Sequence, residues 1–171
     1  MNILKELKFL LNSRNFPINE SPGIYELWIP SKLSETILSP IKDLLDTSKL
    51  KIENYYGEEY IALYIGASRN LRRTIQDIVK NVYNGQRGKY ELTKIIYSLL
   101  IINGIDSRDD IKEMLDSCII KWHESQNEFS ARADKKAELN QVIYVWPTNA
   151  VGNNTISQNF KRHLKDIAKL K

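Results

Sequence analysis

Cysteine, histidine and long apolar segments are all scarce in this sequence of 171 residues. Cys118 is the only cysteine, which excludes an internal disulfide and a thiolate zinc cluster and fits a reducing cytoplasm. His123 and His163 are the only histidines and stand far apart, which favours structural or surface roles over metal ligation. No apolar run approaches the roughly 18 residues that span a bilayer. We therefore expect a cytoplasmic protein that has no membrane partner.

The overall composition is that of an ordinary soluble globular protein, with 42% hydrophobic and 27% charged residues and a net charge of +4. A chain of this length can bury a real core, so we predict one domain over residues 1–171. Positive charge is concentrated in 60–94, with seven Lys/Arg against two carboxylates, and in 155–171, with five against one. Clustered cations could form a phosphate-binding face, although solvated helix surfaces are the simpler explanation of this pattern alone.

Short alternating segments and amphipathic segments follow one another along the chain. Strands are predicted at 23–30, 60–66 and 118–122, and a polar turn at 54–59. Helices are predicted at 1–11, 34–46, 71–84 (with Asn70 as N-cap), 90–102, 109–117, 131–144 and 156–170. Two adjacent strands, a later third strand and surrounding helices indicate an α/β or α+β domain.

Two tripeptides fall within the first two predicted strands, Gly23-Ile24-Tyr25 and Tyr64-Ile65-Gly66. If the second strand returns antiparallel to the first, Tyr25 and Tyr64 can project from one face, because alternate residues of a strand share a face. Tyrosine is common in strands, so either residue alone would be taken as part of the core. Only the two tyrosines together suggest a functional site.

Together the tripeptides resemble the GIY-YIG nuclease family, and further matches follow in the family's order. The segment 67–73 is similar to the family's opening of a helix through Asn-Leu, and Glu138 on a later predicted helix precedes Asn149 at close to the family's spacing. The resemblance covers about 21–149. It implies a small three-stranded antiparallel sheet flanked by helices, with amphipathic helices at both ends of the chain, that acts on DNA.

The resemblance also implies a role for each matching residue. Tyr25 would orient or deprotonate the attacking water, and Tyr64 would support that tyrosine or the scissile phosphate. Glu138 would hold Mg²⁺ or Mn²⁺, a hard cation that prefers oxygen ligands and neutralises the leaving oxygen, and Asn149 would support the site beside it. The leading hypothesis is thus a metal-dependent endonuclease that hydrolyses DNA phosphodiester bonds.

The chain departs from the family at the arginine that grips the phosphate, ten residues after the second tyrosine. That position is Thr74 here. Arg72 and Arg73 are close in sequence, but a shift of one residue turns a helical side chain by about 100°. Losing one preorganised donor of this kind typically costs about 10²–10³ in rate. Either Arg73 or Arg72 substitutes, or Arg87 enters the site, or the domain does not cut.

The alternative function is accordingly a catalytically degenerate GIY-YIG module that binds DNA or a protein partner, including a second copy of itself, without cleavage. A structural domain that keeps only the fold is a third alternative, because fold does not fix function. The residues predicted to contact DNA are Arg69, Arg87, Lys89, Lys161 and Arg162.

Overall fold

The computed structural model describes residues 3–12, 16–39, 46–84, 104–105 and 108–140. Five strands form one antiparallel sheet in the order β1-β5-β2-β4-β3. The strands are β1 (Ile3–Glu6), β2 (Gly23–Pro30), β3 (Ile52–Tyr55), β4 (Glu58–Ser68) and β5 (Ile119–Glu124). The described helices are α1 (Leu7–Asn12), α2 (Ser31–Ile37), α3 (Leu71–Tyr83), α4 (Arg108–Asp116) and α5 (Glu128–Leu139), with a 3₁₀ turn at Thr47–Lys49. The predicted α+β class is confirmed.

The sheet has two more strands than the predicted three. β1 occupies the first part of the predicted helix 1–11 and pairs with β5, so that the helix is confined to α1. β3 pairs with β4 across a two-residue turn, inside the segment predicted as a polar turn. Both turn residues have positive φ, 53° at Tyr56 and 80° at Gly57, as tight hairpin turns of this length require. Pairing with a strand more than 100 residues away outweighs the local helical pattern of β1.

The helices that pack against the sheet lie close to their predicted positions. α3 begins as expected, because the Asn70 side chain caps it by accepting a hydrogen bond of 2.9 Å from the backbone N–H of Arg73. α5 begins three residues before the predicted start at Ala131, because Asn127 caps it in the same way, and it ends at Leu139 rather than Tyr144. Of the predicted helix 34–46, the first residues belong to α2, which begins three residues earlier, at Ser31, and ends at Ile37, whereas 40–45 lie outside the described residues. The predicted helices 90–102 and 156–170 lie outside the described residues.

Strand β2 is buried along all eight of its residues, because helices cover both faces of the sheet. The tyrosine face carries Tyr25, Leu27 and Tyr64, and α3 packs on it through its apolar stripe, Leu71, Ile75, Ile78 and Val79. The Glu26 face, on the other side, carries Ile24, Glu26 and Trp28, and Leu139 of α5 packs there. The alternation of side chains along β2 therefore separates Tyr25 from Glu26 by the thickness of the sheet.

A β-bulge in β4 adjusts this alternation beside the second tyrosine. The register with β2 shifts between Leu27 and Trp28, which pair with Tyr64 and Ala62, so Leu63 falls between the two pairs as the extra residue of the bulge. Leu63 and Tyr64 consequently both join the core on the tyrosine face.

Candidate functional site

The two tyrosines of the motif lie together on one face of the sheet, as the antiparallel arrangement predicts. Tyr25 pairs with Gly66 and Tyr64 with Leu27, which makes the tyrosines diagonal neighbours. Their ring centroids are 6.1 Å apart with an angle of 38° between the planes. Each residue is only 4% exposed. The pair is thus a buried contact within the core of the tyrosine face.

Burial also determines the protonation state of Tyr64. Desolvation raises the pKa of the Tyr64 phenol, and a hydrogen bond with the Tyr25 side chain offsets this only in part. The Tyr64 hydroxyl is therefore protonated at neutral pH. A neutral phenol can donate a hydrogen bond or orient a neighbour, but it does not remove a proton from water.

Each of the two motif glycines lies where a Cβ would clash with a close neighbour. A Cβ at Gly66 would lie 2.2 Å from Cζ of Tyr25, whose ring lies across the glycine. A Cβ at Gly23 would lie 2.1 Å from the carbonyl oxygen of His123 on β5 and 2.5 Å from Cδ1 of Leu71 on α3. The glycines of both tripeptides therefore have a steric reason that does not depend on a catalytic role.

The position expected to hold a phosphate-gripping arginine is filled by a pair of hydroxyls. Thr74 is 9% exposed, and its Oγ1 lies 2.8 Å from Oγ of Ser68, which continues the face of Tyr64 and Gly66 along β4. Ser68 Oγ also accepts a hydrogen bond of 2.9 Å from the backbone N–H of Asn70. Neutral hydroxyls cannot supply the charge with which a guanidinium would grip a phosphate.

The neighbouring arginines do not share the burial of Thr74. Arg69 and Arg73 are exposed, and Arg72 is half-buried, at the beginning of α3. The predicted site residues Arg87, Lys89, Asn149, Lys161 and Arg162 lie outside the described residues.

Glu138 takes part in an ion pair that leads to the Glu26 face. Its Oε2 lies 3.5 Å from Nζ of Lys51, which in turn lies 3.7 Å from Oε1 of Glu26. The next residue, Leu139, packs against the core of the Glu26 face, which holds this end of α5 there. The carboxylate predicted to ligate Mg²⁺ or Mn²⁺ thus has an ammonium as its near neighbour in this structure. Among residues in the described ranges, no three His, Cys, Asp or Glu side chains are grouped so as to hold a metal ion.

A lysine of α5, the helix that also carries Glu138, reaches the ring of Tyr64. Nζ of Lys135 lies 5.8 Å from the ring centroid of Tyr64, and burial lowers the pKa of its ammonium. Sequence reasoning missed this residue, because a lysine on an amphipathic helix carries no signal of such a contact.

Buried charges on the Glu26 face form a second, unpredicted cluster. Lys121 is 8% exposed, and its Nζ donates to both carboxylate oxygens of Glu53, at 3.3 and 3.1 Å, and to the Tyr55 hydroxyl at 2.7 Å. It also lies 4.7 Å from the ring centroid of Trp28, whose Nε1 donates to Glu26 at 2.8 Å. Burial raises the pKa of Glu53, but hydrogen bonds from Tyr55 and Lys121 outweigh it, so that the pKa lies below its usual value.

A cavity of about 310 Å³ opens beside this cluster, between the sheet and α5. Carboxylates of Glu26, Asp134 and Glu138 line it together with the ammonium groups of Lys51 and Lys121. This cavity therefore lies on the Glu26 face.

Comparisons with known proteins add no relative to these observations. Models of protein families, curated proteins and solved structures contain no match to the chain. In the part of the chain that the structure describes, no helix is both long and apolar enough to cross a membrane. The function proposed for this chain therefore rests on the geometry of its own residues.

Proposed function

We propose that this chain is a GIY-YIG-type module that binds DNA without cleaving it. The observation that carries the proposal is the closed tyrosine pair: Tyr25 and Tyr64 contact each other and are each 4% exposed. A hydrolytic role would require a water molecule and a phosphate within hydrogen-bond reach of these hydroxyls. The GIY-YIG type itself is part of the proposal, which the motif residues and their shared face support.

The surroundings of the pair support the same conclusion. Hydrolysis of this type uses a cationic donor on the phosphate and a metal on the leaving oxygen. Thr74 places a neutral hydroxyl where the donor is expected, and it is already hydrogen-bonded to Ser68. Glu138, the expected metal ligand, is paired with Lys51.

The DNA-binding part of the proposal is carried by the outer side of α3 and by Arg69, two residues before the helix. Arg69, Arg73, Gln76 and Lys80 are exposed and recur at helical spacing, and Arg72 is half-buried beside them. Three arginines within five positions form a donor-rich surface suited to phosphate oxygens. Contacts of this kind give affinity without reading the DNA sequence.

The competing proposal is the metal-dependent DNA endonuclease. It would need a different arrangement of α5, with Glu138 turned towards the tyrosine face, and an opening that admits water to Tyr25. Cleavage and binding assays on the natural protein separate the two proposals.

Binding is measured by fluorescence anisotropy with a short labelled DNA duplex over a range of salt concentrations. We expect binding at low salt, with log K falling linearly against log salt by about 0.9 for each phosphate contacted. The triple substitution Arg69→Glu, Arg72→Glu and Arg73→Glu should abolish binding or flatten that slope. Lys32→Glu, at a residue whose side chain is 88% exposed at the other end of β2, is the matched control and should change little. Absence of binding by the natural protein would contradict the proposal.

Cleavage is measured with the same duplex and with supercoiled plasmid in the presence of Mg²⁺ or Mn²⁺. We expect intact DNA at protein concentrations that saturate binding. Metal-dependent cleavage that is lost in both Tyr25→Phe and Glu138→Gln would instead establish the endonuclease and overturn the proposal.

A further inference from the structure

Lys135 of α5 brings a half-buried ammonium beside the motif tyrosines. Its Nζ is 5.8 Å from the ring centroid of Tyr64, and the Tyr64 side chain is hydrogen-bonded to that of Tyr25. Burial lowers the pKa of the ammonium. Within the described ranges, no carboxylate forms an ion pair with it. The face of an aromatic ring attracts a cation, but it replaces only part of the hydration that the ammonium loses.

The acidic residues closest to Lys135 along α5 are engaged elsewhere. Glu138, one helical turn later, is at a spacing from which it could pair with Lys135, but it forms its ion pair with Lys51. Asp134 is turned by about 100° around the helix, and its Oδ2 accepts a hydrogen bond of 2.8 Å from Ser125 Oγ. Among the described residues, the ammonium therefore keeps its N–H donors for an incoming anion.

The helix that carries Lys135 starts beside the arginine-rich start of α3. The backbone N–H of Leu71, the first residue of α3, donates to the carbonyl oxygen of Ser21 at 2.8 Å. The backbone N–H of Ser125, three residues before α5, donates at 2.8 Å to the carbonyl oxygen of the next residue, Pro22. Adjacent residues thus join the two helix starts, and Lys135 lies about 10 Å along α5 from its start. A DNA duplex that crosses this end of the sheet can contact both helices with different phosphates.

A phosphate oxygen is the anion that suits the position of Lys135. Lysine carries a compact ammonium on a flexible stem of four carbons, so it can follow a phosphate without any change in the backbone. A nearby anion also favours the charged form of the ammonium and offsets the lowering of its pKa by burial. Tyr25 and Tyr64 are each 4% exposed, which makes them a support for the lysine rather than the contact with DNA.

We infer that Lys135 is a phosphate contact of bound DNA, on a second element beside α3. The ring of Tyr64 supports the side chain, and the ammonium binds one oxygen of a backbone phosphate. Lys135 thereby supplies beside the motif tyrosines the cation that Thr74 does not supply. The inference rests on the proposed binding of DNA and adds α5 to the surface that binds it.

Chemical labelling of the natural protein tests this contact directly. Acetic anhydride is applied with and without a saturating DNA duplex, and mass spectrometry measures the acetylation of each lysine. We expect the duplex to slow the acetylation of Lys135, and of Lys80 on α3, several-fold. Lys32, whose side chain is 88% exposed, should react equally in both samples. Protection of Lys80 without protection of Lys135 would overturn the inference and leave the proposed function standing, whereas absence of DNA binding would overturn both.

Substitution measures the size of the contact by fluorescence anisotropy. Lys135→Gln removes the charge, and we expect the affinity at low salt to fall about tenfold, as for a lost hydrogen bond between charged groups. The slope of log K against log salt should become shallower by about 0.9, the value for one phosphate. Lys135→Arg keeps the charge and should retain both the affinity and the slope.

Lys136→Gln is the matched control, because it removes the same charge from the exposed neighbouring residue of α5. It should leave affinity and slope close to those of the natural protein. Equal losses in Lys135→Gln and Lys136→Gln, or natural affinity and slope in Lys135→Gln, would overturn the inference. If Lys135→Gln fails to fold, the acetylation of the natural protein decides.

Discussion

The ring of Tyr25 and the backbone of Gly66 occupy adjoining space in the core. Because a Cβ at Gly66 would lie 2.2 Å from Tyr25 Cζ and the ring is buried, Gly66→Ala should displace the ring. We expect the free energy of unfolding to fall by about 1–3 kcal/mol, the usual cost of overpacking a core. Urea denaturation followed by circular dichroism measures it.

A second substitution controls for other effects of the alanine. In a Tyr25→Leu background the ring is absent, so Gly66→Ala should cost clearly less than in the natural protein. Equal costs in the two backgrounds would show that the ring does not determine the need for glycine at this position.

At the scale of the element, the start of α3 depends on one side chain. Asn70→Ala removes the acceptor for the backbone N–H of Arg73, and we expect a loss of about 1 kcal/mol in the free energy of unfolding. Asn70→Asp keeps an acceptor and should retain most of the stability. Asn140→Ala, just beyond the end of α5, serves as the control, because that residue already has an ordinary helical φ of −88°. A loss equal in Asn70→Asp and Asn70→Ala would argue against capping as the cause.

The sequence predicted elements whose signals are local. The cap at Asn70, the apolar stripe of α3 and the alternation of β2 and β4 each lie within one segment, and all three are present. β1 and β3 were missed because their stability comes from partners on other strands, which no short pattern reveals.

In the candidate site, too, the features that depend on a local pattern were predictable from the sequence, and the others were not. Alternation along two strands placed Tyr25 and Tyr64 on one face correctly. The position of Glu138 depends on which face of the sheet α5 covers, and that is decided by the packing of Leu139 rather than by spacing in the sequence. The buried contact of Lys121 with Glu53 likewise joins residues 68 positions apart, and no local sequence pattern predicts it.

At the scale of the whole molecule, the buried charge cluster should influence stability in acid. The folded-state pKa of Glu53 lies below 4.5, so its contribution is complete above about pH 4.5 and is lost as the pH falls through the folded-state pKa. Glu53→Gln should therefore be less stable than the natural protein at pH 7, and the difference should shrink as the pH falls below 4.5. Urea denaturation across this range measures both curves.

Glu58→Gln is the matched control, because Glu58 lies across the hairpin in β4 and its side chain is 52% exposed. It should follow the natural protein closely at every pH. A constant difference between the Glu53→Gln and natural proteins from pH 7 to pH 3 would mean that the hydrogen bonds of Glu53 do not depend on its charge.

The order of strands in the sheet has a consequence for how the chain acquires its fold. β2 lies between β4, which follows it closely along the chain, and β5, which begins almost 90 residues after β2 ends, and β1 pairs only with β5. As the chain leaves the ribosome, the apolar strand β2 can pair on one side long before β5 exists to cover its other edge. An apolar strand with an open edge is a template for pairing with other chains, and contacts so distant in sequence form slowly. Chains interrupted before residue 119 should therefore be prone to aggregation.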